Sequence, residues 1–291
     1  MLSFDDLNRF PPAYLLGFSL ILGLLIGSFL NVVIYRLPLM MMREWKASLA
    51  EAEALELPEL PERFNLATPR SRCPHCQAPI TAVQNIPVVS FLLLKGRCSN
   101  CKTPISPRYP IVEAVTGVLS LLVVWHLGVG WAGLLGMVFV WILVALTLID
   151  VDHQLLPDNL TLPLLWLGLV ANSFSLFVPL TQAVWGAVVG YLSLWSVYWV
   201  FKLLTGKEGM GYGDFKLLAA LGAWMGWQAV PLIIILSSLV GAVIGGAAMI
   251  LAGRGRDFRI PFGPYLAGAG LIAFIWGDKL IALYKQFSGL A

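Results

Sequence analysis

The chain has 291 residues, of which 58% are hydrophobic and only 12% charged, against about 25% charge in soluble domains. With a mean hydropathy of +0.81, that balance excludes a soluble globular enzyme and points to one membrane domain carrying a polar insertion. The net charge of +3 is ordinary in total, and nucleic acid is not among the expected partners.

The first apolar run, Tyr14–Ile34, follows Asp5 and Asp6 rather than a basic stretch and is too long for a signal-peptide core. It reads as a retained membrane helix anchored by Arg36. A soluble insert, Leu37 to Pro110, comes next. Its first part, Met40 to Leu57, mixes Met40, Met41, Met42, Trp45 and Leu49 with charges. That pattern fits either an amphipathic helix on the membrane surface or an ordinary solvated helix, ended by Pro58 and Pro61. Seven further apolar runs follow: Ile111–Leu127, Trp131–Ile149, Leu160–Val178, Ala183–Leu204, Phe215–Ala229, Val230–Leu251 and Phe262–Leu283. A span needs about 20 apolar residues, so Phe215–Ala229 is short, suiting a tilted or half-inserted helix. No repeat of about 20–50 residues is evident.

The basic residues orient these runs. Of the nineteen Lys and Arg, sixteen fall between Arg36 and Arg108, around Lys202, Lys207 and Lys216, and at Arg254, Arg256 and Arg259; only Arg9, Lys279 and Lys285 remain. Eight alternating helices put all sixteen on one face, which the positive-inside rule makes cytoplasmic, with both termini outside. The expected fold is therefore an all-α integral membrane protein of about eight transmembrane helices, with a cytoplasmic zinc-binding insert between helices one and two. Its parts are a first helix (1–36), the insert (37–110) and a membrane core (111–291).

All four cysteines lie in the insert, as Cys73-Pro74-His75-Cys76 and Cys98-Ser99-Asn100-Cys101. Two such pairs complete a tetrahedral thiolate site for Zn2+, whereas disulfides would be out of place in a reducing compartment. Four thiolates leave no open position for water, so the zinc is structural. A small irregular insert benefits from such a staple. His75 reads as a surface residue.

Two carboxylates lie next to hydrocarbon. Asp150 ends the third run, at the unfavourable C-terminal end of a helix dipole. Asp214 lies in Gly211-Tyr212-Gly213-Asp214. Asp158, before Thr161 and an apolar run, reads as an N-cap, and Asp152 and His153 as solvated. Asp214 alone also fits an N-cap. Paired with Asp150 on one membrane face, it forms a dyad in which one carboxylate ionises while the other keeps its proton. Magnesium binding is a second use for such carboxylates.

Taken together, these motifs resemble the type IV prepilin peptidases, a family of bifunctional leader peptidases and N-methyltransferases. The resemblance rests on Gly27-Ser28-Phe29-Leu30-Asn31, Arg36-Leu37-Pro38, the cysteine pairs, Arg108-Tyr109-Pro110-Ile111-Val112-Glu113, the Asp150 to Asp158 loop and Gly211-Tyr212-Gly213-Asp214-Phe215-Lys216. It implies a bacterial inner-membrane enzyme of pilus biogenesis and type II secretion. Such an enzyme cleaves the basic leader of prepilins and pseudopilins after a glycine on the cytoplasmic side, then methylates the new N-terminus with S-adenosylmethionine. Asp150 and Asp214 match the catalytic pair, and Cys73, Cys76, Cys98 and Cys101 the zinc ligands. Gly96 falls where the family links a glycine to methyl transfer, and Glu113 is a candidate for the methyltransferase or substrate site. Glu113 also fits a first-turn helix residue, and Asn31 a helix-packing hydrogen bond. A transporter binding protons or cations at the aspartates is the alternative reading.

Overall fold

A computed structural model describes residues 11–48, 60–252 and 261–288. Asp5, Asp6, Arg9, the three arginines at 254, 256 and 259, and the 49–57 part of the amphipathic segment lie outside the described residues. Nine α-helices account for nearly all regular structure among those described: α1 Pro12–Ser48, α2 Val89–Leu93, α3 Arg108–Leu127, α4 Trp131–His153, α5 Asp158–Ser173, α6 Leu180–Thr205, α7 Tyr212–Met225, α8 Ala229–Ala252 and α9 Gly263–Ser288. The only β pairing among the described residues is two isolated bridges, so the chain is all-α. It forms two compact units divided inside α4, 1–145 and 146–291.

In the first unit α1 packs along α3. A Cβ on Gly27 would stand 2.7 Å from the Glu113 Cα; small residues permit such close backbone approach between membrane helices. Asn31 Nδ2 donates to the Tyr109 carbonyl at 3.2 Å and to the Gly27 carbonyl at 3.3 Å, the packing role open to it from sequence. Farther along, Trp141 Nε1 donates to the buried Ser120 hydroxyl at 2.9 Å.

Residues Met40–Ser48 are not a separate surface helix, because α1 runs unbroken through Pro38 to Ser48. An interior proline removes a helix hydrogen bond. What holds this stretch is a strap of chain lying across it. The Arg36 guanidinium donates to the Asn65 and Pro69 carbonyls at 2.8 and 2.7 Å and lies over the Phe64 ring. Arg43 reaches the Pro61 and Glu62 carbonyls at 3.0 and 3.1 Å.

The second unit is built around α7, which packs against α5, α6, α8 and α9. Every residue from Asp214 to Trp224 except Lys216 is buried. Gly186 of α6 and Gly222 of α7 face each other so closely that a Cβ on either would collide with the other's backbone. Trp224 Nε1 donates to the Leu164 carbonyl at 2.8 Å. Asn172 Nδ2 donates to the carbonyls of Ala223 and Trp224, and its Oδ1 accepts the N–H groups of Phe177 and Val178.

Six of the described helices are long and apolar enough to cross a membrane: α1, α3, α4, α6, α8 and α9. The 16 residues of α5 and 14 of α7 extend about 24 and 21 Å, short of the ~30 Å hydrocarbon core. For α7 the shortfall has a physical reason. A helix walled in by protein does not have to match the lipid thickness.

Candidate active site and metal centre

Asp150 lies in the last turn of α4 and Asp214 is the third residue of α7. Both carboxylates are buried, 5% and 6% exposed. Leu156, in the loop between α4 and α5, keys these elements together: a Cβ on Gly213 would meet the Leu156 Cβ at 2.7 Å, and one on Gly263 its Cδ2 at 3.1 Å. Gly213 therefore lets the α7 start sit against that loop. Asp214 is not an N-cap, since Gly211 holds that position.

The awkward placement of Asp150 at a helix C-terminus has a compensating partner. The Gly263 N–H, at the first residue of α9, donates to Asp150 Oδ2 at 3.0 Å. The first N–H groups of any helix have no partner within it, and their end of the dipole favours negative charge. A Cβ on Gly263 would stand 2.6 Å from that oxygen, so only glycine allows the approach. Sequence reading missed this residue. Its signal was Pro261-Phe262-Gly263-Pro264, with a proline just inside a helix start.

Asp158 corrects one sequence expectation. Pro157 takes the N-cap position, and Asp158 makes no capping bond. Instead Lys216 Nζ donates to both its oxygens at 2.7 Å, joining the start of α5 to the start of α7. Asp152 and His153 are exposed. The loop ahead of Asp214 is tied to α6 by Glu208, which accepts from Lys202 Nζ at 2.9 Å and the Tyr198 hydroxyl at 3.2 Å. The Tyr198 ring packs on Tyr212 and Phe215.

In the first unit the four cysteine sulfurs lie within 4.8 Å of one another. Cys73 and Cys101 are 3.8 Å apart, Cys76 and Cys98 4.0 Å. A tetrahedral ion with bonds of about 2.3 Å to sulfur separates its ligands by about 3.8 Å, so the donor set and its size fit such an ion. Asn100 Nδ2 lies 3.5 Å from Cys76 Sγ. The Thr103 hydroxyl and backbone N–H hold the Cys101 thiol down to about 6, toward the ligating thiolate form. His75 is exposed.

The cysteine turns also correct the expectation of no repeat. Arg72-Cys73-x-x-Cys76-x-x-Pro79-Ile80 recurs 25 residues later as Arg97-Cys98-x-x-Cys101-x-x-Pro104-Ile105. The copies share backbone bonds, Cys73 N to Ala78 O and Cys98 N to Thr103 O, and a bridge each, Arg72 with Pro79 and Arg97 with Pro104. Gln77 and Lys102 occupy the same left-handed position.

Gly96 also has positive φ, and a Cβ there would meet the Phe91 ring at 3.1 Å. Its N–H closes the turn after α2 on the Phe91 carbonyl. The buried Glu113 carboxylate accepts the Val88 N–H at 2.7 Å. Both residues therefore have structural work in the insert, and neither presents a free donor set fitted to S-adenosylmethionine.

Comparison with known proteins places the chain. Residues 21–127 match the model of the bacterial peptidase A24 N-terminal domain and residues 137–246 that of the type IV leader peptidase family. A prepilin leader peptidase/N-methyltransferase of Stutzerimonas stutzeri is 58% identical over 96% of both chains. The chain belongs to the type IV leader peptidase family. Family members of the same description from Pseudomonas aeruginosa and Pseudomonas putida are 56% and 54% identical, over 98% and 96% of each chain respectively. No solved structure matches significantly.

Proposed function

We infer that the chain is a prepilin leader peptidase and N-methyltransferase of the bacterial inner membrane. The observation that carries this is identity of 58% across 96% of both chains with a relative so named, in a multi-span chain that buries two aspartates. Its substrates are prepilins and the related pseudopilins. Cleavage follows a glycine at the end of the basic leader, on the cytoplasmic side.

Asp150 and Asp214 are the proposed catalytic pair. The N–H donor and helix N-terminus at Gly263 favour negative charge on Asp150. Asp150 therefore takes the proton from the attacking water, and Asp214 donates its proton to the carbonyl oxygen of the scissile bond. Burial excludes competing water and strengthens both interactions. The test is Asp150→Asn and Asp214→Asn in purified, membrane-inserted protein. Each is expected to lower prepilin cleavage by at least about 10³-fold, the scale of losing an essential acid or base. Cleavage at the parental rate by either variant would remove that residue from the chemistry.

The cysteine cluster is proposed to hold one structural Zn2+ through Cys73, Cys76, Cys98 and Cys101, supported by sulfur spacings of 3.8 and 4.0 Å. The ion would clamp the two copies of the turn together. Metal analysis is expected to find one zinc per chain, lost in the Cys73→Ser/Cys98→Ser double variant; full zinc in that variant would refute the site. Gly96 and Glu113 are proposed to affect methyl transfer by setting the shape of the insert.

Eight crossings with a cytoplasmic site are proposed as the topology. The support lies in pairings within the second unit. Asp158 and Lys216 form an ion pair, so α5 and α6 together return the chain to the side they left. Gly263 meets Asp150, so α7 and α8 do the same. Since α6 and α8 are long enough to cross, α5 and α7 cross as well.

A further inference from the structure

Between the two cysteine turns lies a segment that neither the metal cluster nor the aspartate pair uses: a single 3-10 turn at Val83–Asn85 followed by the five-residue α2. Five of its apolar side chains face outward. Val83 and Leu93 are 72% and 77% exposed, and Ile86, Val89 and Leu92 are also exposed. An isolated helix this short does not persist in water on its own propensity, and clustered apolar exposure signals an interaction surface.

The segment's depth is set by a single bond. Glu113 Oε2 accepts the Val88 N–H at 2.7 Å, and Glu113 lies five residues into α3, about 7.5 Å along that helix from its start. The turn therefore dips below the level of Arg108, alongside a membrane span. Val88 is held there with φ of 58°, a conformation that β-branched residues avoid. At this depth α3 itself turns Ile111, Val115 and Val118 outward, so the apolar surface of the turn continues one expected to face lipid. Immediately after α2 the chain exposes Lys95 and Arg97.

We propose that residues 83–93 form an interfacial anchor. The turn rests in the membrane's headgroup layer, its apolar side chains reach the acyl boundary, and Lys95 and Arg97 lie against anionic lipid headgroups. Amphipathic elements seat themselves about 5–10 Å into that boundary, the depth that Glu113 sets. Lipid is the occupant favoured by charge, since Lys95 and Arg97 attract anionic headgroups and repel a basic prepilin leader. The inference goes beyond the peptidase reading and does not depend on it.

The test uses the full chain in nanodiscs, with p-acetylphenylalanine at Leu93 carrying a ketone-reactive nitroxide, so that all four cysteines stay untouched. Spin relaxation by oxygen is expected to exceed that by a water-soluble nickel chelate at position 93. The reverse is expected for a label at His75. The Leu93 label is also expected to sit deeper with phosphatidylglycerol than with phosphatidylcholine alone; equal depth would overturn the headgroup assignment. If the Leu93 variant does not assemble, Val83 serves as the label site. Nickel access exceeding oxygen access at the labelled site in empty nanodiscs overturns the anchor, and shielding that appears only when prepilin is added makes the face a substrate-docking surface instead.

Discussion

At Gly263 a single hydrogen atom stands where any side chain would press on a carboxylate. A Cβ at that position would lie 2.6 Å from Asp150 Oδ2 and 3.1 Å from its Cγ, so Gly263→Ala has to rotate or push the acid away while leaving Asp214 in place. Displacements of about 1 Å at a reacting group cost roughly 100-fold in rate. Gly263→Ala is accordingly expected to lower kcat for prepilin cleavage by about that factor, with little change in KM. Methylation of an already cleaved pilin should continue, which separates a local effect from misfolding. An unchanged kcat would show that the donor to Asp150 is dispensable. The residue was hard to read in the sequence for a plain reason. It lies 113 positions from its partner, and a glycine within an apolar run has many ordinary explanations. The aspartates and cysteines were legible because their chemistry is costly in a membrane protein. A carboxylate beside hydrocarbon, or a thiolate pair with two residues between its members, has few uses that do not involve a partner group.

Helix starts, rather than whole helices, organise the aspartate site: α5, α7 and α9 each begin near Leu156, Asp158 or Asp150. The Asp158–Lys216 pair ties two of these starts together, with the lysine two residues beyond Asp214. Its side chains are half and nearly one-third exposed, so its effect on stability is about 0.2–1 kcal/mol, and its value lies in fixing register. Asp158→Lys and Lys216→Asp are each expected to slow cleavage, and the double reversal to recover it, with a coupling of about 1 kcal/mol or roughly fivefold in rate. Additive losses in that cycle would mean the two side chains act separately. At this scale the sequence was readable in part. Each apolar run marks a helix, but Asp158 as an N-cap was wrong because the preceding proline already occupied that position. The repeat of the cysteine turns escaped notice because the copies share so few residues, and the chain between them follows no common pattern. The continuation of α1 past Pro38 was hidden too, since the arginine bonds that hold it reach 18 to 33 residues along the chain.

For the whole molecule the open number is how many times the chain crosses. Six crossings by the longest helices, with α5 and α7 as in-plane pieces, would put the loop before α5 and the loop before α7 on opposite membrane faces. Asp158 and Lys216 could not then lie 2.7 Å apart, and the two catalytic candidates would be a membrane apart. Eight crossings keep both loops, the basic insert and the arginines near 256 on one face, as the positive-inside rule requires. The two counts place both termini alike, so a terminal reporter cannot distinguish them. The segment between α5 and α6, around Ser175, does: it is periplasmic with eight crossings and cytoplasmic with six. A glycine-flanked acceptor cysteine at Ser175, in a chain that keeps its four native cysteines and is compared with the same chain lacking the acceptor, is expected to react with a membrane-impermeant maleimide in intact spheroplasts. The matching site at Lys207, between α6 and α7, is expected to react only after permeabilisation. The opposite labelling pattern would establish six crossings and separate Asp150 from Asp214, removing the shared site along with the topology.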